Sequence, residues 1–288
     1  MYDDPVLETT CEIDAMEKSF TVGNLNVTCF DDGMLKSSVD SMVGLDRAKA
    51  MEISGASNAG EIYIPVNNFL FRRNNAVILL DAGSSDMQPT LGKLPDNLRA
   101  GGVDPESVTH IFLTHLHPDH ANGLVDKQQA ANFPNAELVI HETEYAFWMS
   151  DVLASDNDFV KRFKKINRAN LAPYEDRIKT VRDGEDVLGC MPILAPGHSP
   201  GHTCWLVSDA GASFLAWGDL VHFSTVQIAH PDVSVVFDQD ADAARATRRR
   251  MLDMIATDRI LIAGAHVSRP GNGRIKKTGA GFWLDQGI

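Results

Sequence analysis

The chain is poor in cysteine and in positive charge, and each shortage removes a class of protein. Four cysteines (Cys11, Cys29, Cys190 and Cys204) are scattered through 288 residues with no C-x-x-C pair. That spacing argues against a disulfide framework and against a thiolate zinc site. Basic residues number 26 against 39 acidic ones, a formal net charge of −13. Such a surface repels phosphate backbones, so no nucleic-acid partner is expected. The triplet Arg248-Arg249-Arg250 lies in a helical pattern and reads as a solvated helix face with acidic neighbours one turn away. No apolar run approaches the roughly 20 residues needed to cross a bilayer, so no membrane partner is expected either. The acidic start Met1-Tyr2-Asp3-Asp4-Pro5 lacks the basic and apolar regions of a signal peptide. The chain as given is therefore expected in the cytoplasm, or in the periplasm or outside the cell if a leader was trimmed.

What remains is an ordinary globular composition, 44% apolar and 23% charged. Apolar runs rich in β-formers recur at 25–30, 62–71, 76–80, 110–113, 137–140, 178–181, 192–195, 203–207, 214–217 and 260–263. Helical patterns fall between some of them, at 87–100, 142–153, 156–169 and 240–256. Strands and helices alternate in both halves, with no repeat, linker or low-complexity tract. A single α/β domain over residues 1–288 is the expectation. Two stretches fit less well: 37–60, with a short helix near 45–51, and the connection 224–239. A lid or pocket wall and a surface decoration or oligomer contact are equal readings of both.

Histidine is scarce, ten in all, yet three of the ten lie in one short loop. Thr114-His115-Leu116-His117-Pro118-Asp119-His120 follows the buried run Ile111-Phe112-Leu113. Imidazole and carboxylate suit borderline cations such as zinc. One ion cannot collect all four side chains, so the spacing suits two ions, His115 and His117 serving one, Asp119 and His120 the other. Partners are then required from elsewhere. Three further strand ends offer them: the turn Pro196-Gly197-His198-Ser199-Pro200-Gly201-His202, Trp217-Gly218-Asp219, and Gly264-Ala265-His266. Either histidine of the first is available as a ligand. His110 and His141 lie within and at the end of strand patterns and read as structural, and His230 reads as exposed.

The set His115-x-His117-x-Asp119-His120, then His202, Asp219 and His266 in that order, resembles the metallo-β-lactamase superfamily over almost the whole chain. The resemblance implies an αββα sandwich with the site at one edge of two facing sheets. It implies that His115, His117 and His202 hold one divalent ion, that Asp119, His120 and His266 hold the other, and that Asp219 bridges them. His198 becomes a neighbour of the site, and Asp81, after Val77-Ile78-Leu79-Leu80, a buttress for a ligand histidine. Two ions, zinc first and manganese, cobalt or iron as alternatives, would share one water and lower its pKa from about 15.7 toward about 7. Asp119 or Asp219 could then pass a proton to the leaving group.

Substrate choice is read more faintly. The family's homoserine-lactone hydrolases carry tyrosine three positions after the bridging aspartate, where this chain has His222. That departure, with Phe237-Asp238-Gln239-Asp240, is similar to the methyl parathion hydrolase and lactonase/arylesterase subgroup. A hydrolase of lactones or aryl esters with phosphotriesterase (organophosphate) side activity is expected. An acyl-homoserine-lactone lactonase is the first alternative, and an iron-dependent oxidoreductase on the same scaffold is the alternative of another class. His222 is a candidate to bind a substrate carbonyl or shuttle a proton. Phe147, Trp148 and Phe223 are candidates for an apolar substrate wall. By family analogy the N-terminal segment and 37–60 suggest a homodimer.

Overall fold

The computed structural model describes residues 18–153, 157–279 and 281–287. The chain opens with β1 (Lys18–Val22), β2 (Leu25–Ser38), β3 (Met42–Val43), α1 (Arg47–Ser54), β4 (Glu61–Arg73), β5 (Ala76–Leu80) and α2 (Leu94–Ala100). It continues through β6 (His110–Phe112), α3 (Pro118–Ala121), β7 (Glu137–His141), α4 (Glu142–Met149), α5 (Asp158–Leu171) and β8 (Ile178–Val181). Then follow β9 (Cys190–Leu194), β10 (Thr203–Asp209), β11 (Ala212–Ala216), α6 (Ser224–Gln227) and β12 (Ser234–Val235). The last elements are α7 (Ala241–Asp258), β13 (Leu261–Ala263), β14 (Asn272–Lys277) and β15 (Phe282–Asp285).

The strands form two main sheets, ordered β1-β2-β4-β5-β6-β7-β8 and β15-β14-β13-β11-β10-β9, with a small β12-β3 ribbon beside them. The alternation along β5 shows how one strand serves two layers. Ile78 and Leu80 face the second sheet, packing with Phe71, Phe112, Trp205, Val207 and Phe214. Leu79, between them, faces the helical side with Leu94, Leu98, Trp148 and Leu171. On the far side, Met251, Leu252 and Ile255 of α7 cover Cys204, Leu215 and Ile262. The result is the expected helix–sheet–sheet–helix sandwich. Phe112 sits edge-on to Trp205 with ring centroids 4.9 Å apart at the centre of the inter-sheet layer. Truncating such a fully buried aromatic costs about 3–5 kcal/mol.

Local chemistry sets most element ends. Asn157 accepts from Val160 N to start α5, and Asp240 accepts from Ala243 N to start α7. The helix read over 87–100 shrinks to α2, because Gly92 stands at φ +81, where a Cβ would meet Ser85 O at 2.4 Å. A left-handed residue there breaks any helix entering from residue 87. The helix read over 142–153 stops at Met149. The strands β1, β14 and β15 were not legible, since β14 is Asn-Gly-Arg-Ile-Lys-Lys with only Gly273 and Ile275 buried. Pairing with β13 makes it a strand, not its own apolar pattern.

The arginine triplet is not a uniformly solvated face. Arg249 pairs with Asp232 and Arg250 reaches Leu194 O, but Arg248 is 1% exposed. No i,i+4 acid holds it: its guanidinium donates to the carbonyls of Leu220, Pro231 and Val233. Cys29, Cys190 and Cys204 are free thiols, and Cys11 and the N-terminal segment lie outside the described residues. No helix among the described residues is long and apolar enough to cross a membrane.

Candidate metal centre

The chemistry-bearing side chains converge where strands of both sheets end. Asp81 follows β5, the loop His115–His120 follows β6, Asp219 follows β11 and His266 follows β13. The turn between β9 and β10 brings His198. Its Gly197 stands at φ +132, and a side chain there would run into the backbone of Ala244 at 2.2 Å. Glycine therefore lets the turn lie flat on α7.

Two groups of donor atoms result, each with its atoms within 4.8 Å of one another: His115, His117, His198 and Asp219, and Asp119, His120, Asp219 and His266. Asp219 belongs to both. Its Oδ2 lies 3.6 Å from His115 Nε2 and 3.2 Å from His198 Nε2. Its Oδ1 lies 2.9 Å from His120 Nε2 and 3.0 Å from His266 Nε2. Asp119 Oδ2 closes the second group, 3.4 Å from His266 Nε2. Nε2 of His115, His120 and His266 and Oδ1 of Asp219 are all buried without a hydrogen-bond partner. Buried donors and acceptors left unpaired are costly. Here the unpaired atoms converge on shared points, and they are nitrogen and oxygen, the donor set of divalent transition ions. The residues fit two cations.

The outer ring nitrogens are tied down, which leaves the inner ones free to ligate. His120 Nδ1 is 2.8 Å from Asp81 Oδ2, and His266 Nδ1 is 2.7 Å from the Pro65 carbonyl. His115 Nδ1 is 3.0 Å from Thr114 Oγ1, whose hydroxyl donates to Asp81 Oδ2 at 2.9 Å. Asp81 thus steadies a histidine of each group, one directly and one through Thr114. It does so from the left-handed region, φ +59, a strained backbone state that aspartate tolerates better than most residues.

The assignment of His202 to the first group is corrected. Its Nδ1 lies 3.1 Å from Ala195 O and its Nε2 accepts from Asp219 N at 2.9 Å. Both nitrogens are engaged, and neither can face an ion. His198 takes the place instead, with Nε2 2.6 Å from His117 Nδ1. His202 rather supports the bend that aims Asp219. Gly218 in that bend is at φ +51, and a Cβ on it would meet His202 Nε2 at 2.8 Å.

Electrostatics divides the histidines. Burial pushes His115 and His117 well below the usual imidazole range, with neighbouring histidines adding to the effect. Burial also opposes charge on His198 and His266, but carboxylates outweigh it. Asp219 and Asp238 bring His198 up to about 9, and Asp219 and Asp119 bring His266 up to about 10. His120 is likewise raised by Asp219, Asp81 and Asp119 against its burial.

His222 is in the site, its Nε2 2.9 Å from Asp219 Oδ2 and its ring stacked on His266 at 5.6 Å. Burial lowers its pKa, so the ring is neutral at pH 7. The aromatic candidates fare differently. Trp148 is 0% exposed and backs His117 from the core, and Phe223 is buried among Val39, Met42 and Val226, so neither forms an open wall. Phe147 packs edge-on against Trp148 and beneath the Lys164 ammonium. His141 caps α4 by accepting from Thr143 N, His110 neighbours Thr109, and His230 is exposed.

Sequence reasoning missed Glu144, in the first turn of α4. The side chain is fully buried and accepts from Leu116 N, Trp148 Nε1, Ser199 Oγ and Gly201 N at 2.6–3.0 Å. One carboxylate therefore pins the His115–His120 loop to the His198 turn. An acid with tryptophan four positions later on a helix face was the available signal.

The chain matches the metallo-beta-lactamase superfamily over residues 63–266 and belongs to that superfamily. The N-acyl homoserine lactonase AttM of Azorhizobium caulinodans is 24% identical over 172 residues, 52% of this chain and 62% of that protein. The AttM of Agrobacterium fabrum is 31% identical over 117 residues, 39% of this chain and 40% of its own. The matches thus span less than two thirds of these curated relatives. Likeness in three dimensions is longer. The hydrolase AbOPH of the beta lactamase superfamily superposes with TM-score 0.88 at 29% identity, covering 93% of this chain and 96% of that one. AidC, a dizinc quorum-quenching lactonase solved with a product, gives 0.84 at 26% identity with the same coverages.

Proposed function

We propose that this protein is a hydrolase that opens lactones with the help of two divalent cations, zinc being the first choice. The observation that carries the proposal is the single Asp219 carboxylate directed into both donor groups, one oxygen to each. When bound, the two cations would polarise the substrate carbonyl and lower the pKa of a water toward neutrality. In this reading His115, His117 and His198 hold one ion and Asp119, His120 and His266 the other, with Asp219 shared. His120 and His266 hold Asp119 well below the usual carboxylate range against its burial, so it is ionised and able to accept a proton at Oδ2. It is the most exposed of the acidic and imidazole donors, at 9%. His222 Nε2 donates to Asp219 Oδ2 at 2.9 Å and steadies the shared carboxylate. No serine or cysteine nucleophile is needed.

The donor set alone does not choose a lactone over an ester or a phosphotriester. Support for lactones comes from AidC, similar over nearly the whole chain, and from the AttM relatives. The test is a panel on metal-loaded protein: acyl-homoserine lactones, aromatic and aliphatic lactones, aryl esters and phosphotriesters. The proposal requires kcat/KM for some lactone to exceed the best ester and phosphotriester. A preference for an aryl ester or phosphotriester would move the assignment to those substrates.

A further inference from the structure

The connection 224–239 ends in a residue with a defined task. The Asp238 side chain is 0% exposed, yet it lies in a loop far in sequence from every other acid of the site. Its Oδ1 is 3.0 Å from His198 Nδ1, and its Oδ2 accepts from Val235 N at 3.1 Å. The same loop is stitched to the histidine turn by its backbone, Gln239 N donating to His198 O and Asp240 N to Gly197 O. Behind Asp238 stands the buried Arg248, its Nη2 3.7 Å from Asp238 Oδ2. Arg248 also donates to Leu220 O, next to Asp219, and to Pro231 O and Val233 O. A guanidinium presents several donors in a rigid plane, which lets one buried side chain hold a carboxylate and three carbonyls at once.

We infer that Asp238 is the positioning residue for His198 and that Arg248 fixes Asp238, so that this pair governs occupancy of the three-histidine half of the site. The physical reason is tautomer and aim. A carboxylate at Nδ1 keeps that proton on the outer nitrogen and turns Nε2, with its lone pair, inward toward His117 Nδ1 and Asp219 Oδ2. His115 and His117 have no carboxylate of their own at the outer nitrogen: His115 leans on the Thr114 hydroxyl, and the outward Nε2 of His117 has no partner. His198 is thus the one histidine of its half that carries a direct acidic buttress, as His120 does through Asp81 in the other half. Leu220, the carbonyl that Arg248 grips, follows Asp219 directly. Removing Arg248 therefore loosens the His198 buttress and the loop behind the shared carboxylate together.

The inference rests on the two-cation reading, and the experiment separates the two. Wild-type protein is stripped with chelator, then titrated with zinc by calorimetry and with cadmium by cadmium NMR, which distinguishes a three-histidine ion from one held by two histidines and carboxylates. Wild type binding fewer than two ions overturns the two-cation reading itself. Given two ions in wild type, Asp238→Ala should weaken one ion about 10- to 100-fold, the usual loss for an outer partner of a ligand histidine. The cadmium resonance of the three-histidine ion should broaden or vanish while the other stays. Asp238→Asn preserves shape and an acceptor for His198 Nδ1, and should lose less than the alanine variant at the same ion. Arg248→Met should follow Asp238→Ala in sign. Wild-type affinity for both ions in Asp238→Ala, or equal weakening of both in folded Asp238→Asn, overturns the positioning role.

Discussion

The two halves of the site reach similar geometry by different supports. The half with Asp119, His120 and His266 is held close to the sheets: Asp81 directly follows β5, and Pro65 O lies within β4. The half with His115, His117 and His198 depends on turns and loops held by buried carboxylates, Glu144 between the loops and Asp238 behind His198. Strand ends are placed by a ladder of backbone bonds, so few side chains are needed to aim them. Loops have no ladder, and each must be fixed by polar side chains that are fully satisfied in the core. Charge does not follow the same division, because Asp219 and Asp238 raise His198 in the loop-held half to about 9. Carboxylates likewise raise His120 and His266, whereas burial keeps His115 and His117 neutral.

The most severe way to break the comparison is to remove what both halves share. Asp219→Ala should reduce bound metal below one ion per chain and lower hydrolysis by more than about 10³-fold. Metal analysis beside steady-state rates checks it, and retention of two ions with the original rate would sink the dinuclear reading. Glu144→Ala tests the loop-held half. It leaves four buried donors unpaired and should destabilise the fold by roughly 3–5 kcal/mol at about 1 kcal/mol or more per donor. Glu144→Gln keeps part of the network and should cost less, as read by urea denaturation. The His115–His117–His198 ion should weaken more than its neighbour in Glu144→Gln, because only that half uses both tethered loops.

Protons connect the two halves, since each has a histidine that is charged without metal. With pKa values raised to about 9 and about 10, His198 and His266 are protonated at pH 7 in the metal-free protein. Their contribution to metal-free stability is complete below the unfolded value near 6.5 and is lost as pH rises through 9 and 10. Cations must displace those protons, so metal affinity should fall as pH drops and binding at pH 7 should release roughly one to three protons. Calorimetry in two buffers of different ionisation enthalpy measures the number; no release would contradict the assigned protonation. The smallest change expected is His222→Tyr, which restores the tyrosine of homoserine-lactone hydrolases and should raise kcat/KM for acyl-homoserine lactones relative to aryl esters by about 10-fold or less. An unchanged ratio would remove His222 from substrate choice.

The alternation of runs such as Val77-Ile78-Leu79-Leu80 made the layered α/β fold legible, because period-two apolar patterns leave a strand little choice of face. Polar strands such as β14 were not legible, since a polar strand forms only when a neighbour offers hydrogen bonds. Glu144, Asp238 and Arg248 were hidden for a related reason. A charged residue in a helix or loop is solvated by default, and only the closed fold shows that these are buried with partners from distant segments.

By itself, the sequence determined the family, the loop His115–His120 and the strand-end acids and histidines that complete two donor groups. Their residue types and order carry that information locally. Only the tertiary structure decided between His198 and His202. The two stand four positions apart in one Pro- and Gly-rich turn, equally able to ligate as side chains. The choice falls to where each outer nitrogen finds a partner: His202 is consumed between Ala195 O and Asp219 N, while Asp238, 40 residues away, leaves His198 Nε2 facing inward.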